Sequence, residues 1–237
     1  MTAGPSTTSI SPRAYDAWRS TRLGRITEAV EQRLLLGMLG PLAGAHVLDV
    51  GCGDAVLLQA MAANGAIVTG VDPDRNMLAT ARARVAGARP LATVIEGRAQ
   101  QLPFHDASFD VVCTVTVLCF FANPANALQE MARVLRPGGC LVLGELGRRN
   151  LWAAIRRLKA WAGPATWSAA RFRSAAELRT LLDSAGLEVN DVRGAVFFPP
   201  AGALAQLMEG VDPWLGRLTT IGAAFIAIRG NRFERSQ

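Results

Sequence analysis

The chain is poor in the residues that most often mark metal centres and disulfide frameworks. It has four cysteines and two histidines among 237 residues, with no CxxC pair and no histidine cluster beside a cysteine. This pattern argues against a metal site and against disulfides, so we expect no bound metal and reduced thiols in the cytoplasm. No run approaches the ~18 uninterrupted apolar residues that a membrane-spanning helix needs.

Lysine is almost absent as well, because Lys159 is the only one and arginine carries the remaining positive charge. The formal net charge of +6 is compatible with nucleic-acid binding, but the arginines are spread along the chain and form no continuous stripe. We therefore expect a small-molecule partner and no nucleic acid. A basic cluster at 148–159 leaves a weak contact with a membrane surface as an open hypothesis.

What the sequence does contain is a regular alternation of strand-like and helix-like segments. Half of the residues are hydrophobic, enough for one well-buried domain. Alternating segments predict right-handed crossovers and an α/β fold, a mainly parallel sheet with helices on both faces. The predicted strands are 46–50, 66–72, 92–97, 109–118, 140–146, 188–198 and 223–230.

Residues 49–54, Asp-Val-Gly-Cys-Gly-Asp, follow the first predicted strand and open the first helix. Glycines at 51 and 53 allow a sharp turn and let a ligand lie against bare main chain. The adjoining helix N-terminus favours a negative group, such as the carboxylate of a bound amino acid. A tight turn with no ligand remains the alternative for this loop alone.

Asp72 ends the second predicted strand, about 20 positions past the glycine loop, where an acidic residue accepts hydrogen bonds from ribose hydroxyls. Asp74 is better placed to cap the next helix, which leaves Asp72 for a ligand. A nicotinamide fingerprint needs a small residue at position 56, but the chain has Val56 and places the small residue at Ala55. The nucleoside is therefore not expected to be a nicotinamide dinucleotide.

Four segments together resemble the motifs of class I S-adenosylmethionine (SAM)-dependent methyltransferases: VLDVGCGDA at 47–55, VDPD at 71–74, EGRAQQLPF with SFDVV at 96–112, and RVLRPGG at 133–139. Their order and spacing are similar to the small-molecule branch that includes the ubiquinone and menaquinone methyltransferases. The resemblance covers roughly 46–146. It implies a seven-stranded, mostly parallel Rossmann-like sheet with helices on both faces and an antiparallel last strand, with SAM as cofactor and S-adenosylhomocysteine as product.

The resemblance also implies roles for individual residues around the cofactor. Met77 could equally well belong to the buried face of a core helix. At position 98 the chain has Arg98, whereas the family often has an acidic residue before the alanine that corresponds to Ala99. The implied contacts are Asp49, Gly51, Cys52 and Gly53 at the methionine end, Asp72 and Pro73 at the ribose, Met77, Ala99 and Gln100 at the adenine, and Thr114 and Val115 near the transferred methyl group.

The predicted organisation is a single methyltransferase domain over 1–237. Residues 1–14 are expected to be a disordered tail and not a signal peptide, and 15–40 an amphipathic helix, or two joined near Gly24, that folds over the cofactor as a lid. The cofactor-binding core spans 46–146, and C-terminal helices and strands follow over 174–230. An insertion at 147–173 is expected to carry the substrate contacts, through Trp152, Trp161, Trp167 and Arg148.

Methyl transfer from a sulfonium needs mainly orientation, so a base is not obligatory. Glu145, His105 and Tyr15 are the candidates for one, and none is preferred. The predicted function is methyl transfer to a small hydrophobic or aromatic molecule by a monomer or homodimer. The alternatives are a regulatory protein that binds SAM or its product without transferring the methyl group, and a methyltransferase acting on a macromolecule.

Overall fold

The computed structural model describes residues 11–88, 91–161 and 170–233, except for the side chains of 157–161. Within these ranges seven strands form one sheet in the order β3-β2-β1-β4-β5-β7-β6. The pairs from β3 to β5 are parallel, whereas β7 runs antiparallel to both β5 and β6. The predicted sheet is confirmed, including its antiparallel last strand. The strands are β1 (His46–Val50), β2 (Ile67–Asp72), β3 (Ala92–Glu96), β4 (Phe109–Val115), β5 (Leu135–Leu146), β6 (Leu187–Ala195) and β7 (Phe225–Arg232).

Helices cover both faces of the sheet and begin where the sequence supplies caps. Asp74 accepts hydrogen bonds from the main chain of Asn76 and Met77 at the start of α4, and Ser174 with Glu177 forms a capping box on α7. The helices are α1 (Pro12–Ser20), α2 (Arg22–Leu39), α3 (Val56–Ala63), α4 (Arg75–Val85), α5 (Ala125–Val134), α6 (Leu151–Trp161), α7 (Ala175–Ser184), α8 (Gly202–Met208) and α9 (Asp212–Leu218).

The N-terminal segment forms two helices that meet at Thr21. The Thr21 hydroxyl accepts a hydrogen bond from the main-chain N–H of Gly24 at 3.0 Å and so caps α2. A Cβ atom at Gly24 would lie only 2.0 Å from the carbonyl oxygen of Trp18, so the sharp corner requires glycine there. The expected break near Gly24 therefore has a steric cause.

Several elements differ from the prediction, among them β6, which ends at Ala195 and not at 198. Strand β4 ends at Val115 and not at 118, because a 3₁₀ turn over 118–120 takes the next residues. Strand β5 begins at Leu135, five residues earlier than predicted. Helix α9 follows α8 in a segment to which the sequence had assigned no element.

The sheet separates two hydrophobic clusters, one beneath α2, α3 and α4 and the other beneath α5 and α7. Because parallel strands share a direction, the carboxyl ends of β1, β2 and β4 lie along one edge of the sheet. All four cysteines are buried free thiols, as expected from their apolar surroundings. Among the described residues no group of side chains has the makeup of a metal site, and no helix is long and apolar enough to cross a membrane.

Candidate active site

The glycine loop after β1 has the backbone conformation that its sequence predicts. Gly51 and Gly53 have φ angles of 76° and 53°, the left-handed region that favours glycine. No heavy atom lies within 4 Å of the position that a Cβ atom on Gly53 would take. At Gly53 the loop therefore presents open main chain at the carboxyl edge of the sheet, whereas a Cβ atom on Gly51 would lie 2.2 Å from a side-chain carbon of Val117.

Asp72 connects the end of β2 to this loop. One carboxylate oxygen accepts a hydrogen bond from the main-chain N–H of Gly53 at 2.9 Å, and the other accepts from that of Asp74 at 2.8 Å. Burial raises the pKa of Asp72 above its ordinary value, and these two hydrogen bonds oppose the rise. Each oxygen keeps a further lone pair, so the carboxylate is held in place and can still accept hydrogen bonds from a ligand.

Asp49, at the end of β1, is buried and receives no hydrogen bond from the described residues. Burial, and then the charge of Asp72, raises its pKa to about 7. Helix α3 begins close by at Ala55 without a side-chain cap. The loop thus offers an unpaired carboxylate for a cation and an uncapped helix N-terminus for an anion, which suits the two charged groups of an amino acid.

The remaining cofactor candidates surround the same edge but differ in exposure. The Cys52 side chain packs among buried residues of the core, so only its main chain faces the loop. The Thr114 hydroxyl donates to the carbonyl of Val50 at 2.9 Å and is used within the sheet. Of the others, Met77 and Ala99 are buried, Val115 is half-buried, and Pro73 and Gln100 are exposed.

An ionic cluster attaches the N-terminal helices to the glycine loop. Asp54 is nearly buried, and its carboxylate pairs with Arg19 of α1 and with Arg84 of α4, the latter at 2.9 Å. Arg84 also donates from Nε to the Asp54 carbonyl at 2.8 Å. Glu28 of α2 lies 3.6 Å from the Arg19 guanidinium. We call Arg19, Glu28, Asp54 and Arg84 the latch.

Helix α6 supplies one wall of a region near Tyr15, whose side chain in turn lies close to Asp54 of the loop. The Arg156 guanidinium lies 5.6 Å from the Trp152 ring centroid and 6.0 Å from that of Phe172. The Trp152 indole N–H donates to the carbonyl of Phe198 at 2.8 Å, which fixes the ring. Arg156 therefore lies against aromatic rings and does not simply face solvent.

Arg148, another predicted substrate residue, is not part of this wall. Arg148 lies at the surface, where it pairs with Glu177 at 2.7 Å and donates to the carbonyl of Phe172 at 3.1 Å. The side chain of Trp161 and all of Trp167 lie outside the described residues.

Two acidic groups of the N-terminal helices face the same region. Burial raises the pKa of Tyr15 to about 12, with further contributions from the nearby charges of Cys119 and Glu31. Burial also raises the pKa of Glu31 to about 8, and the Arg156 charge opposes this rise. Sequence reasoning missed Glu31. The helical spacing could have indicated that Glu31 faces inward, because it lies four residues from the buried Thr27 and four from the buried Leu35.

Glu145 of β5 is fully buried beneath the 3₁₀ turn. Its Oε1 accepts hydrogen bonds from the main-chain N–H groups of Leu118 at 2.8 Å and Cys119 at 3.3 Å. Oε2 has no hydrogen-bond partner among the described residues. Burial raises the pKa of this carboxyl group to about 7. Glu145 therefore orders the turn that follows β4.

His105 lies at the opposite edge of the sheet. It is exposed in the turn that precedes β4, where its carbonyl accepts a hydrogen bond from the Ser108 hydroxyl. The neighbouring Ala107 N–H donates to the carbonyl of Arg133 at the end of α5. Since the glycine loop is at the carboxyl edge, His105 is a turn residue away from this loop.

Comparisons with known proteins agree with this architecture. Residues 48–143 match the family described as methyltransferase domain. A ubiquinone biosynthesis O-methyltransferase from Idiomarina loihiensis is 35% identical over 170 residues, 68% of this chain and 69% of the relative. An uncharacterised protein from Mycobacterium tuberculosis is 32% identical over 215 residues, 91% of this chain and 70% of the relative.

A solved structure extends the similarity to nearly the whole chain. The SAM-dependent methyltransferase from Thermotoga maritima, described as a possible histamine N-methyltransferase, superimposes with a TM-score of 0.72 at 26% identity. The superposition covers 93% of this chain and 95% of that one. The chain belongs to the methyltransferase family and is a class I SAM-dependent methyltransferase, with SAM as methyl donor and S-adenosylhomocysteine as product.

Proposed function

We propose that this enzyme transfers the methyl group of SAM to a small hydrophobic or aromatic acceptor by in-line displacement. The observation that carries this proposal is the wall of Trp152, Arg156 and Phe172 near Tyr15. Aromatic rings favour a flat apolar acceptor, and a guanidinium held over them suits one with an electron-rich or anionic substituent. One relative is named for O-methylation in ubiquinone biosynthesis, which is consistent with such an acceptor.

We assign the cofactor contacts from the chemistry of the loop. The unpaired carboxylate of Asp49 suits the ammonium group of the methionine part, and the main chain of Gly51 and Gly53 with the start of α3 suits its carboxylate. Asp72 keeps acceptor capacity for the ribose hydroxyls. The adenine lies against Met77, Ala99 and Gln100 in this proposal.

The protein contributes mainly orientation and exclusion of water. A sulfonium is already an activated leaving group, and fixing donor and acceptor in line is worth ~7 kcal/mol or more of the barrier. Residues 15–40 act as the lid, with Tyr15 facing the site and the latch fastening α1 to the loop. The 147–173 segment supplies the substrate wall.

An oxygen or nitrogen acceptor also has to lose a proton. Glu31 has a pKa of about 8 and faces the same region as Tyr15 and Arg156, so we propose it as the proton acceptor. The rate is then expected to rise with pH until Glu31 is ionised.

The test is to measure S-adenosylhomocysteine formation with phenols, catechols and aromatic amines, and in parallel with RNA and with protein substrates. Turnover with the small aromatic panel, reduced at least ~10-fold in Trp152→Ala, supports the proposal. Turnover with RNA or protein alone shows that the acceptor is a macromolecule and contradicts it.

The role of Glu31 is tested on the acceptor that this panel identifies. In Glu31→Gln the limb of the pH–rate profile near pH 8 is expected to disappear, whereas Glu188→Gln, at the amino end of β6, keeps it. A profile that is identical in wild type and Glu31→Gln removes Glu31 as the base.

A further inference from the structure

Exposed apolar side chains are concentrated in one short part of the chain. Ten large hydrophobic residues are exposed among the described residues, and six of them fall between 204 and 221. Singly scattered apolar side chains are normal on protein surfaces, but a concentration of this kind marks an interaction site. These six residues, which we call the α8–α9 face, are Leu204, Leu207, Val211, Trp214, Leu218 and Ile221.

The outward orientation of this face is set by firm packing on its inner side. The buried Asp212 carboxylate accepts hydrogen bonds from the main chain of Val196 at 2.9 Å and of Phe197 at 2.8 Å. Gly216 lies so close to β6 that a Cβ atom would be 2.0 Å from the carbonyl oxygen of Gly194. Since Asp212 and Gly216 anchor the inner side of α9, Trp214 and Leu218 are held pointing outward.

The border of the face is positively charged. Arg217 belongs to α9, Arg22 lies 3.5 Å from the Cβ position of Gly202 at the start of α8, and the Arg149 carbonyl accepts a hydrogen bond from Gly222. All three arginines are exposed, and their guanidinium groups have no acidic partner among the described residues. Glu209 is the only acidic side chain between 201 and 222 besides the buried Asp212.

We propose that the α8–α9 face docks on an anionic lipid membrane surface. Tryptophan and leucine side chains enter the boundary between headgroups and acyl chains, and arginines beside them attract anionic headgroups. A second copy of the chain is a poorer partner, because a twofold interface brings the three arginines of one copy towards those of the other. The formal net charge of +6 adds to the attraction of the anionic surface.

This surface shares Arg149 with the basic cluster at 148–159 that the sequence suggested for membrane contact, but two other arginines of that cluster are engaged elsewhere. Within that cluster Arg148 pairs with Glu177, and Arg156 lies against Trp152 and Phe172 inside the site. Docking through α8 and α9 also places the membrane next to the substrate side. Helix α8 packs against α2, which carries Glu31, and the loop before α8 accepts the hydrogen bond of the Trp152 indole.

The experiment is sedimentation of the full chain with vesicles of phosphatidylcholine alone and with vesicles that also contain phosphatidylglycerol. The wild type is expected to sediment with the anionic vesicles at low salt and to be released by high salt. The double variant Leu207→Ser with Trp214→Ser is expected to lose at least ~10-fold in apparent affinity, because its apolar insertion is removed. Arg22→Gln with Arg217→Gln is expected to lose affinity for the anionic vesicles only.

Two control variants distinguish this face from general surface effects. Leu91→Ser removes an exposed leucine beside β3 at the far edge of the sheet, and Arg82→Gln removes an exposed arginine of α4. Both are expected to bind vesicles as the wild type does, and all variants are expected to keep the wild-type circular dichroism. No sedimentation of the wild type, equal loss in the controls, or a concentration-dependent dimer that Leu207→Ser with Trp214→Ser dissociates would overturn the proposal.

Discussion

The carboxylate of Asp72 accepts a hydrogen bond from the main-chain N–H of Gly53 at 2.9 Å, across 19 positions of the chain. This bond ties the end of β2 to the glycine loop after β1. The loop that we propose for the methionine part of SAM and the carboxylate that we propose for its ribose are therefore parts of one hydrogen-bonded unit. The other carboxylate oxygen of Asp72 accepts a hydrogen bond from the main-chain N–H of Asp74, which extends the unit to the start of α4.

Replacing Asp72 tests this unit. In Asp72→Asn the amide can keep one of the two main-chain hydrogen bonds but presents an N–H₂ group to the other donor, so both the loop and the ribose contact are disturbed. We expect SAM affinity to fall at least ~10-fold by calorimetry. Asp74→Ala is the matched control, since it removes a helix cap worth about 1 kcal/mol of stability and should reduce SAM affinity far less. Equal losses in the two variants would show that Asp72 acts only through the fold.

The Asp49 carboxyl predicts a pH dependence of cofactor binding. Its pKa of about 7 means that an ammonium group binds best when this group is ionised, so SAM affinity should rise with pH up to about 7. The limiting slope is about tenfold per pH unit. Calorimetry from about pH 5 to 8 should show this slope in the wild type and a weak, pH-independent affinity in Asp49→Asn. A wild type with flat affinity would contradict the assignment.

The same group makes a prediction for the stability of the protein without cofactor. Folding raises the pKa of Asp49 from 3.8 to about 7, so between these values the folded state binds more protons than the unfolded state. The Asp49 contribution to the free energy of unfolding therefore falls as pH rises through this window. Urea denaturation at several pH values should show that the free energy of unfolding falls less steeply with pH in Asp49→Asn than in the wild type. An identical fall in both would assign the pH dependence to other groups.

Ala55, the residue before α3, adopts a left-handed conformation with φ of 66°. This conformation costs a residue with a Cβ atom about 1–2 kcal/mol, whereas glycine adopts it freely. We expect Ala55→Gly to raise the free energy of unfolding by about 0.5–1 kcal/mol, measured by chemical denaturation. Ala60→Gly, inside the same helix, is expected to lower it by about 0.5–1 kcal/mol. A loss in both variants would show that Ala55 packing outweighs its backbone strain.

The latch predicts how strongly α1, part of the proposed lid, is held against the glycine loop. Arg19→Gln removes the α1 side of the pairing with Asp54 and leaves the Arg84 side in place. Local opening of α1, followed by hydrogen exchange, should become easier by about 2 kcal/mol, and SAM should dissociate faster. Arg13→Gln, at an exposed position of the same helix, should leave both rates unchanged. Unchanged exchange in Arg19→Gln would show that other contacts hold α1.

The sequence predicts best those parts of the fold that are determined by residues close to one another in the chain. The alternating pattern and the caps at Asp74 and Ser174 set the central strands and helices within one or two residues. The predicted boundaries were wrong where a residue distant in sequence determines where the element ends. The carboxylate of Glu145 binds the main chain of Leu118 and Cys119, and β4 ends before this turn. Similarly, α9 depends on the buried contacts of Asp212 with residues near 196, which no local pattern reveals.

The same distinction, between residues set by nearby sequence and residues set by distant contacts, applies to the site. Gly51, Gly53 and Asp72 follow strands directly, so the edge on which they meet could be derived from the sequence. Glu31 was hidden because its neighbours in space, Tyr15 and Arg156, come from other helices. His105 lies at the other edge because the chain after Gln100 crosses to the amino end of β4 before that strand begins.

The most direct test of the account is calorimetric binding of SAM, S-adenosylhomocysteine and NADH to the wild type and to Asp72→Asn. The account predicts that both sulfur nucleosides bind the wild type, that each binds the variant at least ~10-fold more weakly, and that NADH binds neither. Preference for NADH, or SAM affinity that is the same in both proteins, would contradict the assignment of the glycine loop and Asp72 as the SAM site.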